Sequence, residues 1–492
     1  MTCKTVIWLG QEPDAALMKL AKARELTLSP NPTFATDQID AKFAACHALV
    51  LNLENADALD NTIMRRVEKA QHHGAFVIAT CPLEAVDAIT AKFKANPDID
   101  HVPIDALRDP SRFFSKIDTH KRGPAWKALN LKEEVKLNPE EKVLLGRAFN
   151  DCSKVELRRL DEGNSATVFQ AFVQLAESRV GRRALPFLVK FDRRRKIQRE
   201  LQNYRECVKP FVPFYAAPHL DDERSLLGAQ CGVLVANFIE ASRSLGDMID
   251  EGLTQGLAAS IFDDALRGWR RQAYHESRFK VTQSVAQSLG GAGFNNNTAQ
   301  AERAEKVAAK AKKFGATSSA AELSRRLCAL PAVEHHCAIM HGDLHPLNIR
   351  VRNGQAVLID FASVSDGPIV GDPAMLDAAI ALRIKENNFP VWSSYVEKWF
   401  AYDSLLRLPD APSPEDNHAA IGEFLRDVRR IGISDQRTHG EYATAVAVFL
   451  LRHAYRKEQS DDDQDRRAFL FSVAELIVDN LTKAEIPVHI VS

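Results

Sequence analysis

The stretch from His341 to Ala362, HGDLHPLNIRVRNGQAVLIDFA, constrains the fold of this chain more than any other. Two short apolar runs flank Asn353-Gly354, a pair that is the strongest short-range signal of a β-hairpin. Because hairpin strands run antiparallel, we expect Asn348, before the first strand, to lie close to Asp360, at the end of the second. A short apolar strand, Cys337 to Met340, is predicted to precede the stretch.

The predicted hairpin gathers side chains that suit one chemistry. Phosphoryl transfer needs metal ions that bridge phosphates, a carboxylate that orients the attacking hydroxyl and accepts its proton, and cations for the developing charge. Asp343 suits the role of the base, while Asn348 and Asp360 offer hard oxygen ligands to magnesium. Single acidic residues are usually solvated or structural, so it is the combination that predicts phosphoryl transfer.

Composition limits the classes of protein that need to be considered. At 492 residues the chain is expected to form two or more domains. Its net charge of −1 gives no reason to expect nucleic acid or an anionic membrane as a partner. The first residues lack the apolar core and the small-residue cleavage site expected of a secretory signal, and the eight cysteines form no CxxC pair, so we expect a cytoplasmic protein. His335, His336 and Cys337 cluster, and we interpret them as core residues rather than zinc ligands.

Residues 1–118 alternate short apolar strands with helical patterns. This alternation predicts an α/β domain with a parallel, doubly wound sheet. The predicted strands are Thr5 to Leu9, Ala48 to Leu53, Ala75 to Ala79 and an edge strand, His101 to Ile104; the predicted helices are Asp14 to Arg24, Asn61 to His72 and Leu83 to Lys94.

The order of these elements resembles the receiver domain of bacterial response regulators, which has a flavodoxin-like sheet. A working receiver needs an acidic pair after its first strand, a phosphorylatable Asp after its third and a Lys after its fifth. Here Asn52 occupies the Asp position and no Lys follows Ile104. Glu12 and Glu54 are interpreted as solvated loop acids rather than metal ligands. We therefore predict a degenerate receiver-like domain that docks a protein partner or regulates the rest of the chain.

A linker and a leading helix are predicted over residues 119–149. Asn138 as N-cap, Pro139 at the first position and Glu141 at the capping-box position indicate where this helix begins. Beyond it, two strand-like runs in Val155 to Phe172 surround a turn that contains Gly163, Asn164 and Ser165. Backbone N–H groups of this turn could bind phosphates, although with one glycine the turn resembles an ordinary surface hairpin.

Lys190 lies in a predicted apolar strand, Leu188 to Phe191. Such a lysine is costly unless its ammonium contacts an anion, and the alternative is an edge strand from which it reaches solvent. The helix predicted from Lys196 to Val208 carries Glu200 and Glu206. Either glutamate could pair with Lys190 and hold the ammonium against the phosphates of a nucleotide.

Later segments complete a two-lobed α+β arrangement. Gly232 to Ile239 is a strongly apolar strand whose backbone could meet an adenine edge. A helical insertion follows over about residues 245–330, interrupted by a Gly/Asn-rich loop, Leu289 to Asn297. From Pro373 to Leu481 the pattern is helical, and Trp392, Trp399 and Phe400 are interpreted as core residues rather than as a wall of an acceptor pocket.

The motif HGDLHPLNI, followed by LIDFASVSDGPIVGDPAML, resembles the aminoglycoside phosphotransferase and choline kinase group within the protein-kinase-like fold. The resemblance extends from about residue 150 to the C-terminus. It implies a phosphotransferase domain over residues 150–492, with an N-lobe at 150–240 and a catalytic, helical C-lobe at 331–492.

The resemblance also implies roles for individual residues. Asp343 would be the catalytic base, Asn348 and Asp360 the magnesium ligands, Lys190 the phosphate-binding lysine and Glu200 its partner. Glu200 is preferred to Glu206 by its distance from the Val212-Pro213 pair.

Three further residues of the motifs have roles implied in the same way. Asp372 would brace the active-site loop, and His341 would organise it. His345 would touch substrate or buttress the loop. The family pattern is not complete, because the phosphate turn has one glycine and Asp360 is followed by Phe-Ala rather than Phe-Gly.

We therefore predict an enzyme that binds ATP and Mg²⁺ and transfers the γ-phosphoryl group to a hydroxyl of a small molecule. One alternative is a regulatory scaffold in which a kinase-like domain senses nucleotide. The other is a kinase whose acceptor is a protein, because acceptor choice depends on pocket shape rather than on the metal-binding residues.

Overall fold

The computed structural model describes residues 4–32, 39–96, 99, 102–106, 114, 116–117, 130–131, 136–160, 166–176, 181–275, 280–292, 298–381, 388–408, 418–456 and 461–484. The chain divides into two compact units. The first comprises Met1–Gln202 and His219–Phe238, and the second comprises Asn203–Pro218 and Ile239–Ser492. In the described part of the chain, no helix combines the length and hydropathy needed to cross a membrane.

The first unit begins with a parallel five-stranded sheet in the order β2-β1-β3-β4-β5. Its strands are β1 (Lys4–Gly10), β2 (Leu26–Pro30), β3 (Ala48–Asn52), β4 (Phe76–Cys81) and β5 (Ile104–Ala106). The helices around it are α1 (Ala15–Ala23), α2 (Ile39–Ala45), α3 (Asn61–His72) and α4 (Val86–Lys94), with short 3₁₀ helices at Ala56–Ala58 and Leu83–Ala85.

Apolar residues cover both faces of this sheet. Side chains from α2, α3 and α4, among them Phe43, Val67 and Ile89, pack on one face. Leu17 of α1 and Phe114 pack on the other. The strand order is one of the two common orders of doubly wound sheets. The predicted parallel sheet is therefore present, while the receiver-like character of the domain stays a prediction.

Two elements of this domain, β2 and α2, were not predicted from the sequence, and the strand β5 was predicted at the wrong residues. The strand β2 alternates buried and exposed residues over only five positions, and α2 is a short helix of seven residues. Neither is long enough to produce a clear periodicity. The edge strand predicted at His101 to Ile104 was misplaced, because β5 begins at Ile104.

The second sheet of this unit has the order β10-β11-β9-β8-β7-β6. Its strands are β6 (Asn130–Leu131), β7 (Cys152–Arg159), β8 (Thr167–Leu175), β9 (Phe187–Arg193), β10 (Leu226–Leu227) and β11 (Cys231–Asn237). Two helices accompany it, α5 (Pro139–Ala148) and α6 (Arg194–Asn203). The predicted capping box is confirmed, because Asn138 accepts from Glu141 N–H and the Glu141 carboxylate accepts from Asn138 N–H.

A buried arginine joins the N-terminal α/β domain to α5 within this unit. The guanidinium of Arg147 donates to the carbonyl oxygens of Phe43 at 2.7 Å, Ala44 at 2.8 Å and Cys46 at 3.2 Å. These carbonyls lie at the C-terminal end of α2, where helical backbone leaves acceptors unsatisfied. Burial lowers the pKa of Arg147 to about 10, which leaves the guanidinium charged at neutral pH. Arg147 of α5 therefore caps α2, which is a helix of the N-terminal α/β domain.

The second unit contains two small sheets, in the orders β12-β15-β16 and β13-β14-β17. Their strands are β12 (Arg243–Ser244), β13 (Lys280–Gln283), β14 (Val333–Met340), β15 (Ile349–Arg352), β16 (Gln355–Leu358) and β17 (Ser365–Pro368). The strand predicted at Cys337 to Met340 is the second half of β14, whereas β13 lies in a segment that was predicted to be helical.

Helices form the rest of this unit. They are α7 (Leu245–Asp250), α8 (Leu257–Ala259), α9 (Arg267–His275), α10 (Val285–Ser288), α11 (Thr298–Ala311), α12 (Ala320–Cys328), α13 (Gly371–Ala381), α14 (Phe389–Trp399), α15 (Tyr402–Leu406), α16 (Ala419–Asp435), α17 (Glu441–Ala454) and α18 (Asp461–Lys483). The described residues of this unit also form π-helices at Tyr204–Val208 and Ser260–Ala265 and 3₁₀ helices at Phe214–Ala216, Lys312–Phe314 and Phe361–Ser363. Trp392, Trp399 and Phe400 are buried, as predicted for core residues.

Candidate active site

The NG hairpin forms as the sequence predicts. Asn353 and Gly354 both have positive φ, 53° and 74°, which is the backbone of a type I′ turn. The register pairs Ile349 with Leu358. One step further on, the N–H of Ile359 donates to the carbonyl oxygen of Asn348 at 3.0 Å. Asp360 follows directly, so the hairpin brings it beside Asn348.

The loop between β14 and β15 is closed by hydrogen bonds to its own backbone. The side-chain Nδ2 of Asn348 donates to the Asp343 carbonyl oxygen at 2.9 Å, and the backbone N–H of Asn348 donates to the His345 carbonyl at 2.8 Å. Asn348 is 8% exposed. Since the amide nitrogen is engaged and no described residue donates to Oδ1, the oxygen is the atom that Asn348 presents to a ligand.

Asp360 has an unusual backbone conformation, with φ 66° and ψ 77°. For a residue with a Cβ, this left-handed region costs about 1–2 kcal/mol, and such strain is concentrated at functional sites. The next residue, Phe361, is buried against the rings of His341, at 5.5 Å between centroids, and Tyr204, at 6.3 Å. The Nδ2 of Asn203 donates to the Phe361 carbonyl oxygen at 2.8 Å. Packing after Asp360 thus holds it in the strained conformation.

Asp372 braces the start of the loop. Its Oδ2 accepts the N–H of His341 at 2.7 Å and its Oδ1 accepts that of Gly342 at 3.2 Å. The His341 ring Nε2 in turn donates to the Ile359 carbonyl at 3.0 Å, which links the loop to the end of the hairpin. These contacts match the bracing and organising parts predicted for Asp372 and His341. Burial raises the pKa of Asp372, although both N–H donors oppose the shift.

Gly342 is the one position of this loop where a side chain has no room. Its φ is 73°, and a Cβ would lie 2.2 Å from the carbonyl oxygen of Ser363. The loop thus passes close to the 3₁₀ helix that follows Asp360. Only glycine allows both this approach and this φ without strain.

Two basic side chains lie beside the carboxylate of Asp343. The Nε2 of His345 is 3.8 Å from Oδ2, and the guanidinium of Arg456 is 3.9 Å from Oδ1. Leu347 N–H donates to Nδ1 of His345 at 3.2 Å, so the neutral ring carries its proton on Nε2, facing the carboxylate. Burial lowers the pKa of His345, and the charge of Asp343 opposes that shift.

Arg456 was missed by sequence reasoning. It follows the helix α17, more than a hundred residues after Asp343, and belongs to no motif. Sequence analysis predicted only a helical pattern for this region, and an apolar periodicity indicates which face of a helix is buried, not what the helix end contacts. No local sequence signal could have found it.

In the first unit, Lys190 forms the ion pair that the sequence predicted with Glu200. Its Nζ is 2.8 Å from Oε2, and the two side chains are 10% and 6% exposed. The strand β9 lies between β11 and β8, which excludes the alternative of an edge-strand lysine. Glu206, the other candidate partner, lies in the π-helix beyond α6 and is exposed. The contact of Lys190 with phosphate stays a prediction.

The remaining predicted site residues lie outside the described part of the chain. Gly163, Asn164 and Ser165 lie in residues 161–165, between β7 and β8 in the sequence. Residues 293–297 of the Gly/Asn-rich loop also fall outside it. Among the described residues, no three His, Cys, Asp or Glu side chains are grouped to hold a metal. A cation held by Asn348 and Asp360 would therefore need phosphate or water oxygens to complete its coordination.

Sequence comparison finds a family model that matches the segment containing this site. Residues 221–386 match the model of the phosphotransferase enzyme family. The matched segment contains Asp343, Asn348, Asp360 and Asp372. The resemblance to aminoglycoside phosphotransferases and choline kinases predicted from the motifs is therefore confirmed for this segment.

Solved structures of three kinases are similar to parts of the chain. An amicoumacin kinase in complex with AMP-PNP and Ca²⁺ is 12% identical, with a TM-score of 0.37, and the match covers 66% of this chain and 88% of that one. A choline kinase from Cryptosporidium parvum Iowa II is 10% identical, with a TM-score of 0.33 and coverage of 67% and 88%. A glucosamine kinase is 13% identical, with a TM-score of 0.28 and coverage of 67% and 93%.

At these TM-scores the structural similarity does not by itself establish a common fold. No curated protein matches the chain at a significant level. The assignment therefore depends on the sequence match of residues 221–386 and on the motifs within it.

Proposed function

We propose that this protein transfers the γ-phosphoryl group of ATP to a hydroxyl of a small molecule and requires Mg²⁺ to do so. The observation that carries the proposal is the arrangement of one loop and one hairpin. The loop holds Asp343 through Asn348, and the hairpin brings Asp360 beside Asn348. A base and two oxygen ligands in this order are what phosphoryl transfer requires of a protein.

Asp343 acts as the catalytic base in this proposal. Its side chain is 40% exposed, which lets an acceptor hydroxyl approach the carboxylate. The nearest donor to its side chain among the described residues is Nδ2 of Asn348 at 3.4 Å, so the carboxylate oxygens retain capacity to accept the hydroxyl proton. A positioned base of this kind contributes roughly 10²–10⁴-fold to rate.

Asn348 and Asp360 hold the divalent cation in this proposal. The amide orientation of Asn348 fits this role, because its nitrogen is bound to the loop and its oxygen is not. An amide oxygen and a carboxylate are the hard ligands that Mg²⁺ takes in addition to phosphate and water oxygens. When held by these two residues, the cation would supply positive charge that offsets the negative charge of the phosphates. The strained φ of Asp360 supports a functional position for this carboxylate.

Lys190 binds the phosphates of ATP in this proposal, and Glu200 orients it. The buried ion pair supports this assignment, since a lysine in a central strand is otherwise costly. The turn with Gly163, Asn164 and Ser165 would add backbone N–H donors to the phosphates.

For the N-terminal domain we propose a receiver-like origin without phosphotransfer. Asn52 takes the place of the phosphorylated carboxylate, and its Nδ2 donates to the Gln11 carbonyl oxygen at 3.1 Å. An amide cannot serve as the nucleophile that aspartyl phosphorylation needs. We propose that this domain instead binds a protein partner or regulates the phosphotransferase.

A turnover assay tests the main proposal. ATP consumption with a panel of hydroxylated metabolites should be measured for the wild type, Asp343→Ala and, as a control, Asp366→Asn, which changes an exposed acid of β17. We expect turnover that Asp343→Ala abolishes and the control retains. Nucleotide binding without turnover on any acceptor, with a stable co-purifying protein, would instead select the scaffold, and phosphate transferred to that protein would select a protein acceptor.

A further inference from the structure

Arg456 is the cation closest to the predicted base, and the family motifs do not include it. Its guanidinium lies 3.9 Å from Oδ1 of Asp343, and its side chain is 53% exposed. Among the described residues, Asp343 is the only carboxylate with which it pairs. A pair at this distance and exposure contributes at most about 1 kcal/mol, so the guanidinium can turn to another anion at little cost.

Several basic side chains lie near Arg456, around His453. His453 is fully buried, and its pKa lies well below the ordinary value because of burial and because of the charges of Arg456, His345, Arg467 and Arg452. These basic side chains are therefore grouped around His453, and Arg456 is the arginine among them that lies beside Asp343.

Two of the arginines around His453 are engaged elsewhere. The Nε of Arg467 donates to Asp463 at 2.8 Å, and its Nη1 donates to the His453 carbonyl at 3.2 Å. Arg452 donates to the carbonyl oxygens of Gly291, at 3.2 Å, and Leu289. Arg456 is thus the arginine of the group that both reaches the base and keeps an exposed guanidinium.

The position of Arg456 restricts the charge of an acceptor whose hydroxyl reacts at Asp343. A hydroxyl that gives its proton to Asp343 must lie about 2.6–3.2 Å from the carboxylate. With the guanidinium 3.9 Å from the same carboxylate, a substituent a few bonds from the hydroxyl reaches Arg456. An ammonium there would meet a like charge, whereas a carboxylate or phosphate would accept two parallel N–H bonds.

We propose that the acceptor is an anionic hydroxy compound, with a carboxylate or phosphate close to the reacting hydroxyl, and that Arg456 binds this oxyanion and determines acceptor specificity. The inference rests on the proposed phosphotransferase activity, since it takes Asp343 as the base. It extends that proposal by specifying that the acceptor is negatively charged.

Matched acceptors that differ only in charge test the inference. Initial rates of ADP formation should be compared for hydroxy acids, sugar phosphates, the corresponding neutral polyols and sugars, and amino sugars. We expect kcat/KM to be highest for an anionic member of each set. Hydroxy acids and sugar phosphates, assayed separately, distinguish a carboxylate from a phosphate.

Substitutions at Arg456 give the second readout. Arg456→Gln should raise the KM for an anionic acceptor by about 10- to 100-fold, which corresponds to the loss of a charge-assisted hydrogen bond, and leave the KM for ATP unchanged. Arg456→Lys should restore part of the affinity, and Arg456→Glu should shift preference toward amino sugars. Arg430→Gln, at a similarly exposed arginine on α16, is the matched control.

The failure of this inference is distinguishable from failure of the proposed function. Neutral or cationic acceptors could be phosphorylated well while Arg456→Gln changes neither KM nor acceptor preference. That result would reject the anionic acceptor bound by Arg456 and would retain the proposed phosphotransferase activity. If no acceptor of any charge is phosphorylated while ATP binds, both proposals fail. A general loss of folding in Arg456→Gln would appear as a lower Tm, and Arg456→Lys then decides.

Discussion

The side-chain Nδ2 of Asn348 donates to the backbone carbonyl of Asp343 at 2.9 Å. This single bond joins the position of the predicted base to the orientation of the predicted cation ligand. Because the amide nitrogen is held by the loop, the amide oxygen is directed away from it. Perturbing Asn348 should therefore affect both the loop and the cation.

Asn348→Ala and Asp360→Ala should weaken cation binding. We expect each to raise the Mg²⁺ concentration needed for half-maximal turnover by about 10- to 100-fold, the usual effect of losing a ligand or its support. Titration calorimetry of ATP with and without Mg²⁺ provides a direct measurement. The exposed acid variant Asp366→Asn should behave like the wild type. Magnesium-dependent ATP binding that is unaffected in Asp360→Ala would argue against this carboxylate as a ligand.

Removing one partner of the Lys190–Glu200 pair should destabilise the protein. Both side chains are buried, so Lys190→Met or Glu200→Met alone would leave an unpaired buried charge, at a cost of about 3–5 kcal/mol. The double variant should regain most of that stability, because no charge remains buried. Urea unfolding of the four proteins gives the coupling free energy.

The same four proteins separate stability from function. If Lys190 binds phosphate, the double variant should be stable and still have weak ATP turnover. Recovery of full turnover in the double variant would show that the pair is structural only. ATP affinity measured alongside urea unfolding distinguishes these results.

Gly342→Ala should be far more damaging than Gly354→Ala. Both glycines have nearly the same φ, 73° and 74°, so both substitutions impose a similar backbone strain of about 1 kcal/mol. Only at Gly342 would the new Cβ meet a neighbour, the Ser363 carbonyl oxygen at 2.2 Å. We expect a further loss of stability and a fall in kcat for Gly342→Ala alone. Equal effects of both variants on Tm and kcat would contradict the close approach.

Glu441 should make the protein less stable as pH rises. Burial raises its pKa to about 7, although Thr438 and Arg437 donate backbone N–H groups to Oε1. The other oxygen, Oε2, is buried without a hydrogen-bond partner among the described residues, as suits a protonated carboxyl. Since the folded pKa lies above the unfolded value of about 4.3, the folded state binds more protons between them.

This contribution to stability is present below the unfolded pKa and falls by up to about 1.4 kcal/mol per pH unit as pH rises toward 7. Urea unfolding between pH 4.5 and pH 8, about the range bracketed by these pKa values, measures it. Glu441→Gln should remove this part of the pH dependence, because the amide does not titrate. An unchanged slope in the variant would show that other groups cause it.

Arg147→Met should loosen the N-terminal domain from α5. The substitution removes hydrogen bonds to three carbonyls at the end of α2 and leaves those buried acceptors unsatisfied, at about 1–3 kcal/mol each. Limited proteolysis within residues 1–118 should accelerate. Arg65→Met, at an exposed arginine of α3, is the control. Equal cleavage rates of the two variants would argue against the docking contact.

Much of the fold was predictable from short-range patterns. The NG turn, the capping box at Asn138 and the apolar strands of the N-terminal sheet each depend on neighbours within a few residues. The short elements β2 and β13 were missed because four or five residues do not establish a period. The domain that β2 helps to build was nonetheless predicted from its longer strands.

The sequence by itself determined the loop and hairpin that hold Asp343, Asn348 and Asp360, because adjacent residues and one tight turn suffice to bring them together. Tertiary structure alone decided which arginine faces Asp343. It also decided that Arg147 caps α2. Those contacts join segments brought together by packing of apolar faces, and apolar periodicity does not specify which polar groups will meet at their edges.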